Sequence, residues 1–524
     1  MKKLMSLLLV LVASLCLAAC NEKTPVEQTK EETKEETKKP TVTEPTKEET
    51  PVKVVEYQTG IKPGVPVITY CTWGFATEEE FNLTRRLVAK FNYERNDVQI
   101  QIVEPDPEMD YGEFLNTLAS AKKLPDVFMT KNLPSSVINS LALELTDITA
   151  ADPEWQEVDK ALAKAGSYNG HVYGIPTGQY YMGFFANYEL LDKYTGESYA
   201  DEVFEPGEFT LDQFISTVKS MRKINVTDGT GVVGVNATGD MVNWLPGALD
   251  TTGNIKHFVW NENTLKFDFR SSAMREALEI ISDLGSRTTQ YTFESVAGDK
   301  RGDIFGTGWD VEAFKNGKIG FLQGGTWDSY EDARGFDVHF VGYPGGRVIS
   351  AADYTCISAA TKNPQLAYEV AKYLTFGLEG AQARFDIIDY ARYLDPKTTL
   401  SVTGLPVVTN KNVTDQWFEY VALDGVKEVY DKVAEGEMIL VVEGNKTIPG
   451  FEEARFHGET GLAYPDVRGG SPLSIGDYIW DVCSGDISVS TYMSDVSELL
   501  VAKLNATVVK AYADIEKVTA DSDK

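Results

Sequence analysis

The chain has 524 residues, of which 43% are hydrophobic and 24% are charged, and these proportions are ordinary for a globular protein. A chain of this length exceeds one ordinary hydrophobic core, so two domains or lobes are expected. The 49 lysine and arginine residues face 79 aspartate and glutamate residues, and the resulting net charge of −30 excludes nucleic acid as an electrostatic partner.

Residues 1–19 have the order of a secretory signal. Lys2 and Lys3 give a basic start, residues 4–17 form an apolar stretch, and two alanines precede Cys20. The apolar stretch is too short for a membrane-spanning helix. The run Leu-Ala-Ala-Cys resembles a bacterial lipobox, which implies that Cys20 becomes the first mature residue and carries lipid. The alternative is an ordinary signal followed by a chance cysteine.

Residues 20–60 are predicted to form a disordered tether. The sequence Thr-Lys-Glu-Glu-Thr occurs at 29–33, 33–37 and 46–50 with prolines between, and such a segment cannot bury a core. Its low-complexity part, residues 21–53, is about 33 residues long and as a flexible chain would span roughly 30–35 Å, so it would hold a folded domain away from a membrane surface.

The following part of the chain alternates short apolar runs with amphipathic segments. We predict strands at 65–71, 98–103 and 124–129, with helices at 78–92 and 111–122 between them. This alternation favours an α/β fold with a largely parallel sheet. Further on, the pattern predicts helices at 135–145, 272–284 and 496–512, while the strand at 180–191 and the threonine-capped helix that begins near residue 210 are implied by a family resemblance.

Residues 305–376 contain the most informative stretch. A helical turn ends at Lys315-Asn316-Gly317, and a short strand at 319–322 stops at two glycines, leaving Trp327 and Asp328 at its carboxyl end. Open α/β sheets bind ligands at that end of their strands. A second apolar run at 355–359 returns to the sheet, and a helix is predicted to begin at Asn363-Pro364.

Several segments, in this order, resemble the extracellular solute-binding proteins of ABC sugar importers. They are Leu-Pro-Asp-Val at 124–127, Tyr-Asn-Gly-His-Val-Tyr-Gly-Ile-Pro at 168–176, Lys-Asn-Gly-Lys-Ile-Gly-Phe at 315–321, Gly-Gly-Thr-Trp at 324–327, Gly-Tyr-Pro-Gly-Gly at 342–346 and the run at 357–375. The resemblance covers residues 65–410 well and residues 411–524 loosely.

The resemblance implies a maltodextrin-binding-like, two-lobe clamshell of the periplasmic-binding-protein type II class, with an interlobe cleft and three hinge crossings near 178, 355 and 405. Lobe 1 is then expected to comprise 61–178 plus 355–405, and lobe 2 to comprise 179–354 plus 406–524.

A sugar site needs flat aromatic rings for the apolar face of a pyranose and planar polar groups for its hydroxyls. Trp327 is the strongest candidate, because the resembling family places a stacking aromatic at this Gly-x-Trp. The other candidates lie at strand ends or chain crossings: Trp73, Asn132, Tyr180, Tyr181, Trp244, Asp328, Asp353 and Tyr354. Trp309, inside a helical pattern, is expected to serve in packing.

The sequence shows no cofactor motif and no metal-ligand spacing among its four histidines. Asp299, Asp303 and Asp310 could meet a cation, but their spacing fits no known loop. Cys71 and Cys356 lie in apolar strands and are expected to be buried thiols.

The hypothesis is a non-enzymatic, lipid-anchored, monomeric capture protein on the extracellular face of the cell membrane, in an envelope of the Gram-positive type. Its expected partners are a carbohydrate, the ABC permease, and the membrane through the lipid. Two alternatives stay open: a surface-anchored glycan-active hydrolase, and a binding protein for a non-sugar solute such as a peptide or polyamine.

Overall fold

The computed structural model describes residues 61–75, 82–195, 200–225, 230–327, 336–398, 402, 404–421, 424–458, 460–462 and 473–522. The predicted signal, the tether, the lipidation site Cys20 and the candidate Asp328 lie outside these residues.

Apolar, β-branched and aromatic segments form the strands, because such side chains pack well on a pleated surface. In chain order the strands are β1 Val67–Cys71, β2 Gln99–Ile102, β3 Val127–Thr130, β4 Ser167–Tyr168, β5 His171–Val172, β6 Ile175–Asn187, β7 Lys223–Asn225, β8 Thr230–Val235, β9 Trp260–Asn261, β10 Lys266–Phe267, β11 Ile319–Gly325, β12 Val338–Gly342, β13 Arg347–Ile357 and β14 Ile439–Val442.

Amphipathic segments form the helices and bury their apolar faces against the sheet. They are α1 Leu83–Glu94, α2 Tyr111–Ser120, α3 Leu133–Ile138, α4 Thr146–Ala151, α5 Lys160–Ala165, α6 Tyr188–Thr195, α7 Ala200–Val203, α8 Leu211–Met221, α9 Leu245–Leu249, α10 Ser272–Leu284, α11 Gly298–Phe305, α12 Asp310–Lys315, α13 Pro364–Leu374, α14 Leu378–Leu394, α15 Lys411–Phe418, α16 Val426–Glu435, α17 Ile475–Cys483, α18 Val489–Asp495 and α19 Glu498–Ser522.

Local capping explains where several helices begin. Thr210 and Gln213 form a reciprocal capping box at the start of α8, which confirms the predicted threonine-capped helix. Asp110 accepts hydrogen bonds from two backbone amides at the start of α2. The helix predicted to begin at Asn363-Pro364 is α13, with Pro364 at its first position, where the missing amide hydrogen is tolerated.

Within the described residues, one ten-stranded mixed sheet has the order β2-β1-β3-β13-β6-β11-β8-β7, with β12 added on β6 and β14 on β13. Strands β1, β2 and β3 pair in parallel, as do β8 and β11. The two long strands β6 and β13 run antiparallel to each other, with a bulge between Asp353 and Tyr354. The sheet is therefore α/β and mixed, which confirms the predicted class but makes it less purely parallel than expected.

The buried side chains form three hydrophobic clusters, and the chain passes between them at the predicted crossings. The first cluster includes Ile175 and Tyr354, while farther along the same two strands Phe184 and Ile349 belong to the second. The third crossing lies near Leu405, which bridges to Gln179 and belongs to the third cluster. Two long strands and one extended segment thus connect the cores.

Part of the segment after the third crossing packs in the first hydrophobic cluster. Val407, Val413, Trp417 and Tyr420 lie in the first cluster, although 406–524 was expected to belong wholly to the second lobe. The reason is α15, which follows the third crossing and sets Trp417 edge-on against Phe385 of α14, with ring centroids 5.9 Å apart. The third crossing is therefore followed by a return to the first core.

No helix in the described part of the chain is long and apolar enough to span a lipid bilayer. Cys71, Cys356 and Cys483 are buried free thiols, as predicted for the first two.

Candidate functional site

The carboxyl end of β1, the first half of β6 and the interior of β13 border a cavity of about 150 Å³. Trp73, Tyr180 and Asp353, three of the candidates from the sequence, line it, together with Arg384 of α14 and Trp417 of α15. It lies beside the predicted chain crossings near 178, 355 and 405. The cavity is smaller than the roughly 300–1,000 Å³ of pockets that enclose drug-sized ligands, so a larger ligand would extend onto neighbouring surface.

Trp73 has a partly exposed ring, and its contact with Tyr111 fixes the orientation of that ring. The Trp73 ring meets the Tyr111 ring edge-on, with centroids 5.5 Å apart, and Lys446 Nζ lies 6.0 Å from the centroid of the Trp73 ring. The Tyr111 hydroxyl donates to the backbone oxygens of Cys71 and Met129, which fixes the supporting ring between β1 and β3. Trp73 is thus held at the carboxyl end of β1, as the sequence predicts.

Trp327 follows β11 and leaves 48% of its surface exposed. Its ring meets Tyr180 edge-on, with centroids 5.8 Å apart. A Cβ on Gly325 would lie 2.4 Å from the indole, so the ring covers a position that only glycine leaves open. Thr326 anchors the turn, because its amide donates to Tyr181 O at 2.9 Å and its hydroxyl accepts from Tyr181 N at 3.0 Å.

Asp353 is buried and forms an ion pair with Lys446, whose Nζ lies 2.6 Å from Asp353 Oδ1 and 3.4 Å from Glu443 Oε1. Burial lowers the pKa of Lys446, but the two carboxylates outweigh that effect and hold its pKa above the ordinary value. Burial raises the pKa of Glu443, and Lys446 opposes the rise. The three groups form a charged triad at the crossing of β13.

Asn132 caps α3 and at the same time contacts the C-terminal part of the chain. Its Oδ1 accepts from Ser135 N at 2.9 Å, and its Nδ2 donates to Glu452 Oε2 at 3.0 Å. The next amide, Leu133 N, donates to Lys446 O at 3.0 Å. Asn132 therefore lies beside the triad rather than in the cavity, and its side-chain amide is already engaged.

Three candidates from the sequence lie in the hydrophobic core. Tyr181 stacks on Tyr430, with centroids 6.3 Å apart, and Trp244 stacks on Tyr343 at 4.9 Å. Tyr354 donates its hydroxyl to Leu162 O. All three candidates are almost completely buried, so in this structure they offer no face to a ligand. Their aromatic rings contribute to packing instead.

Arg384 adds a cation that sequence reasoning missed. Its Nη2 donates to the backbone oxygen of Leu374, while its buried Nη1 has no hydrogen-bond partner among the described residues. Burial lowers its pKa to about 10. A buried donor without a partner is costly unless a ligand oxygen or water satisfies it, and Arg384 forms part of the cavity wall.

Two further carboxylates missed by sequence reasoning lie on the β8 side of the molecule. Asp240 and Glu294 are open to solvent, yet burial raises the pKa of both, that of Glu294 to about 6. Arg301 opposes the rise at Glu294, whereas Asp240 and Asp310 add to it. Both carboxylates therefore reach solvent although the surrounding protein disfavours their charged form.

Exposed rings accompany these carboxylates. Trp480 of α17 is 43% exposed and lies over Gly239, where a Cβ would stand 2.3 Å from its ring. Trp309, which was expected to pack, precedes α12 and is 76% exposed. A helical stripe cannot reveal either ring, because the residues that cover or expose them come from distant parts of the chain. In the sequence, the acidic residue Asp240 directly after Gly239 was the signal that could have indicated this part of the surface.

The fold is that of the two-lobe solute-binding proteins. An ABC substrate-binding protein from Listeria monocytogenes, solved with cycloalternan, shares 17% identity over 84% of this chain and 99% of its own, with a TM-score of 0.57. The GacH receptor of Streptomyces glaucescens, solved unliganded and with acarbose, shares 17% over 84% and 98%, with a TM-score of 0.54.

A cyclic α-maltosyl-1,6-maltose binding protein from Arthrobacter globiformis shares 15% identity over 84% of this chain and 100% of its own, with a TM-score of 0.54. The profile of the bacterial extracellular solute-binding proteins matches residues 86–393, more than half of the chain. The chain therefore belongs to that family. A search of curated proteins finds no match.

Proposed function

We propose that this chain captures an oligosaccharide between its two lobes and delivers it to the permease of an ABC importer, while a lipid on Cys20 holds it at the extracellular face of the membrane. The observation that carries the proposal is the pair Tyr180 and Trp327, a half-exposed indole fixed edge-on beside a cavity that also contains Trp73 and Asp353. Rings and carboxylates together match the apolar face and the hydroxyls of a sugar.

The size and charge of the cavity limit which class of ligand can bind. The cavity of about 150 Å³ would take one sugar ring, and further rings would extend past Tyr180 to the exposed ring of Trp327. Asp240 and Glu294 favour a neutral ligand over an acidic one on the β8 side, since an anion there would meet like charge, and Arg384 in the cavity wall offers a donor to a ligand oxygen. A neutral oligosaccharide satisfies both conditions.

The test is a glycan array probed with the full chain, followed by calorimetry on the sugars that bind. Trp327→Ala should weaken binding by at least ~1 kcal/mol, about fivefold, because the stacking face is lost. Trp327→Phe should retain most of the affinity. Tyr393→Ala, which removes an exposed ring from the end of α14, is the matched control and should change nothing.

Two results would contradict the proposal. Binding of peptides or polyamines without any sugar would favour a non-sugar ligand, and the carboxylates would then recognise its cations. Cleavage of the bound sugar, followed by chromatography of the recovered ligand, would favour the hydrolase alternative. An unchanged affinity in Trp327→Ala would remove that ring from the site.

A further inference from the structure

Two segments distant in sequence bring three metal-ligating side chains together at the edge of the sheet. Asp337 immediately precedes β12, His339 lies within it, and Asp424 lies just before α16. One imidazole nitrogen and one carboxylate oxygen from each aspartate lie within 4.8 Å of one another. Among the described residues, these three form the only group of histidine, cysteine or acidic side chains with that geometry.

The backbone holds these positions without help from an ion. Phe340 N donates to Asp424 O at 2.9 Å, which ties the segment before α16 to β12. Tyr188 N donates to Asp337 O at 3.0 Å. A Cβ on Gly425, which has a φ of +81°, would lie 2.4 Å from Phe340 O, so the close approach of the two segments depends on glycine.

The imidazole is oriented as well as positioned. The His339 ring stacks on the Tyr188 ring with centroids 4.3 Å apart and planes 6° from parallel. Its Nε2 lies 2.9 Å from Asp337 Oδ1, so the edge of the ring faces the carboxylate. A fixed ring plane lowers the entropy lost when the nitrogen binds an ion.

From this arrangement we propose that Asp337, His339 and Asp424 bind a divalent transition-metal ion of the zinc type. Zinc binds nitrogen and carboxylate oxygen at about 2.0–2.2 Å, which sets the ligand atoms of a tetrahedral site roughly 3.4 Å apart. The three atoms here are close enough for small side-chain rotations to reach that spacing. An imidazole in the set favours Zn²⁺, Ni²⁺ or Cu²⁺ over Ca²⁺ and Mg²⁺, which prefer oxygen.

Both aspartates are exposed, so the fourth ligand is water and the ion exchanges with solvent. The site is also remote from the sugar site. Val338 pairs with Asn187 at the end of β6, and Tyr180 lies seven residues earlier on that strand, roughly 23 Å away at about 3.3 Å per residue. The ion would therefore join β12 to the start of α16 and leave the carbohydrate contacts unchanged.

The experiment uses the full chain, stripped with a chelator and then dialysed against Zn²⁺, with bound metal measured by elemental analysis. The wild-type protein should retain one more Zn²⁺ than His339→Gln or Asp424→Asn, whose affinity at this site should fall at least tenfold. His171→Gln is the matched control, because His171 Nδ1 lies 3.7 Å from a Glu144 carboxylate oxygen but belongs to no such cluster in the described part of the chain.

A second readout separates loss of metal from loss of fold. Zn²⁺ should raise the Tm of the wild type and of His171→Gln by at least 2 °C and leave that of Asp424→Asn unchanged. Asp424→Asn keeps the stack on Tyr188, so its fold is not at risk from loss of the imidazole. Equal Zn²⁺ content in all four proteins, or stabilisation by Ca²⁺ and not by Zn²⁺, would overturn the proposal.

Discussion

Tyr180 and Tyr181 are neighbours in the chain but have opposite environments. Successive side chains of a strand point to opposite faces, so one of the two had to face away from the site. Tyr180 faces the cavity and meets Trp327, whereas Tyr181 packs against Tyr430. The sequence predicts that the two residues differ, but the helices that cover one face decide which of them is exposed.

At the same scale, Glu294 shows how position changes a side chain's acid–base properties. Its pKa is raised from the usual 4.5 to about 6 by the surrounding protein, so the folded state binds the proton more tightly than the unfolded chain does. Its contribution favours the folded state fully below about pH 4.5 and is lost as the pH rises through 6. Above that pH, the charged carboxylate opposes folding.

Glu294→Gln removes this charge while keeping the shape. Because Glu294 reaches solvent, the effect is modest, and we expect the variant's Tm to exceed that of the wild type by about 1–2 °C at pH 7.5. The difference should vanish at pH 4, where the wild-type carboxyl is protonated. Calorimetric scans at both pH values measure it, and a variant that is equally destabilised at both would contradict the assignment.

At the scale of elements, the periodicity located most helices and strands but misplaced several ends. The helix predicted for 135–145 is α3, which ends at Ile138, because Ser140 takes a φ of +54° and turns the chain. The closing helix predicted for 496–512 is α19, which continues to Ser522. Its last turns bury Ile515 and Thr519, a tertiary contact that no local pattern reports.

Helix α8 packs very closely on strand β8, and Gly234 makes this close contact possible. A Cβ on Gly234 would lie 2.4 Å from Val218 Cα and 2.6 Å from Val218 O, and neither backbone atom can move away cheaply. We expect Gly234→Ala to lower the free energy of unfolding by about 1–3 kcal/mol through overpacking.

Gly302→Ala in α11 is the control for this prediction, because nothing lies within 4 Å of its added Cβ. It should stabilise the protein by up to ~1 kcal/mol, since alanine has the higher helix propensity. Denaturant unfolding of the two variants measures both changes, and equal effects would show that the packing of α8 on β8 is looser than described.

At the scale of the whole molecule, α19 joins two cores. Leu504 and Val508 belong to the second hydrophobic cluster, while Ile515 on the same helix belongs to the first. Asn169 Nδ2 also donates to Thr519 Oγ1 at 3.0 Å. The C-terminal helix therefore links the first and second cores, which β6 and β13 also connect, as a contact between packed elements.

Ile515→Ala tests this link. The side chain is 1% exposed, so its truncation should lower the free energy of unfolding by about 2–5 kcal/mol through lost burial and a residual cavity. Val509→Ala removes methyl groups from the same helix at a position that is 51% exposed. It should change the free energy of unfolding by less than ~0.5 kcal/mol. Thermal unfolding compares the two, and equal Tm values would place the end of α19 outside the first core.

The sequence by itself determined the α/β class, the order of the elements, and the candidates Trp73 and Trp327, because periodicity and strand ends are local properties. Only the tertiary structure decided that Trp244 and Tyr354 are buried, that Asp240, Glu294 and Trp480 are exposed, and that Asp424 lies beside His339. The physical reason is that exposure and proximity depend on which distant elements pack together, and no spacing along the chain records that contact.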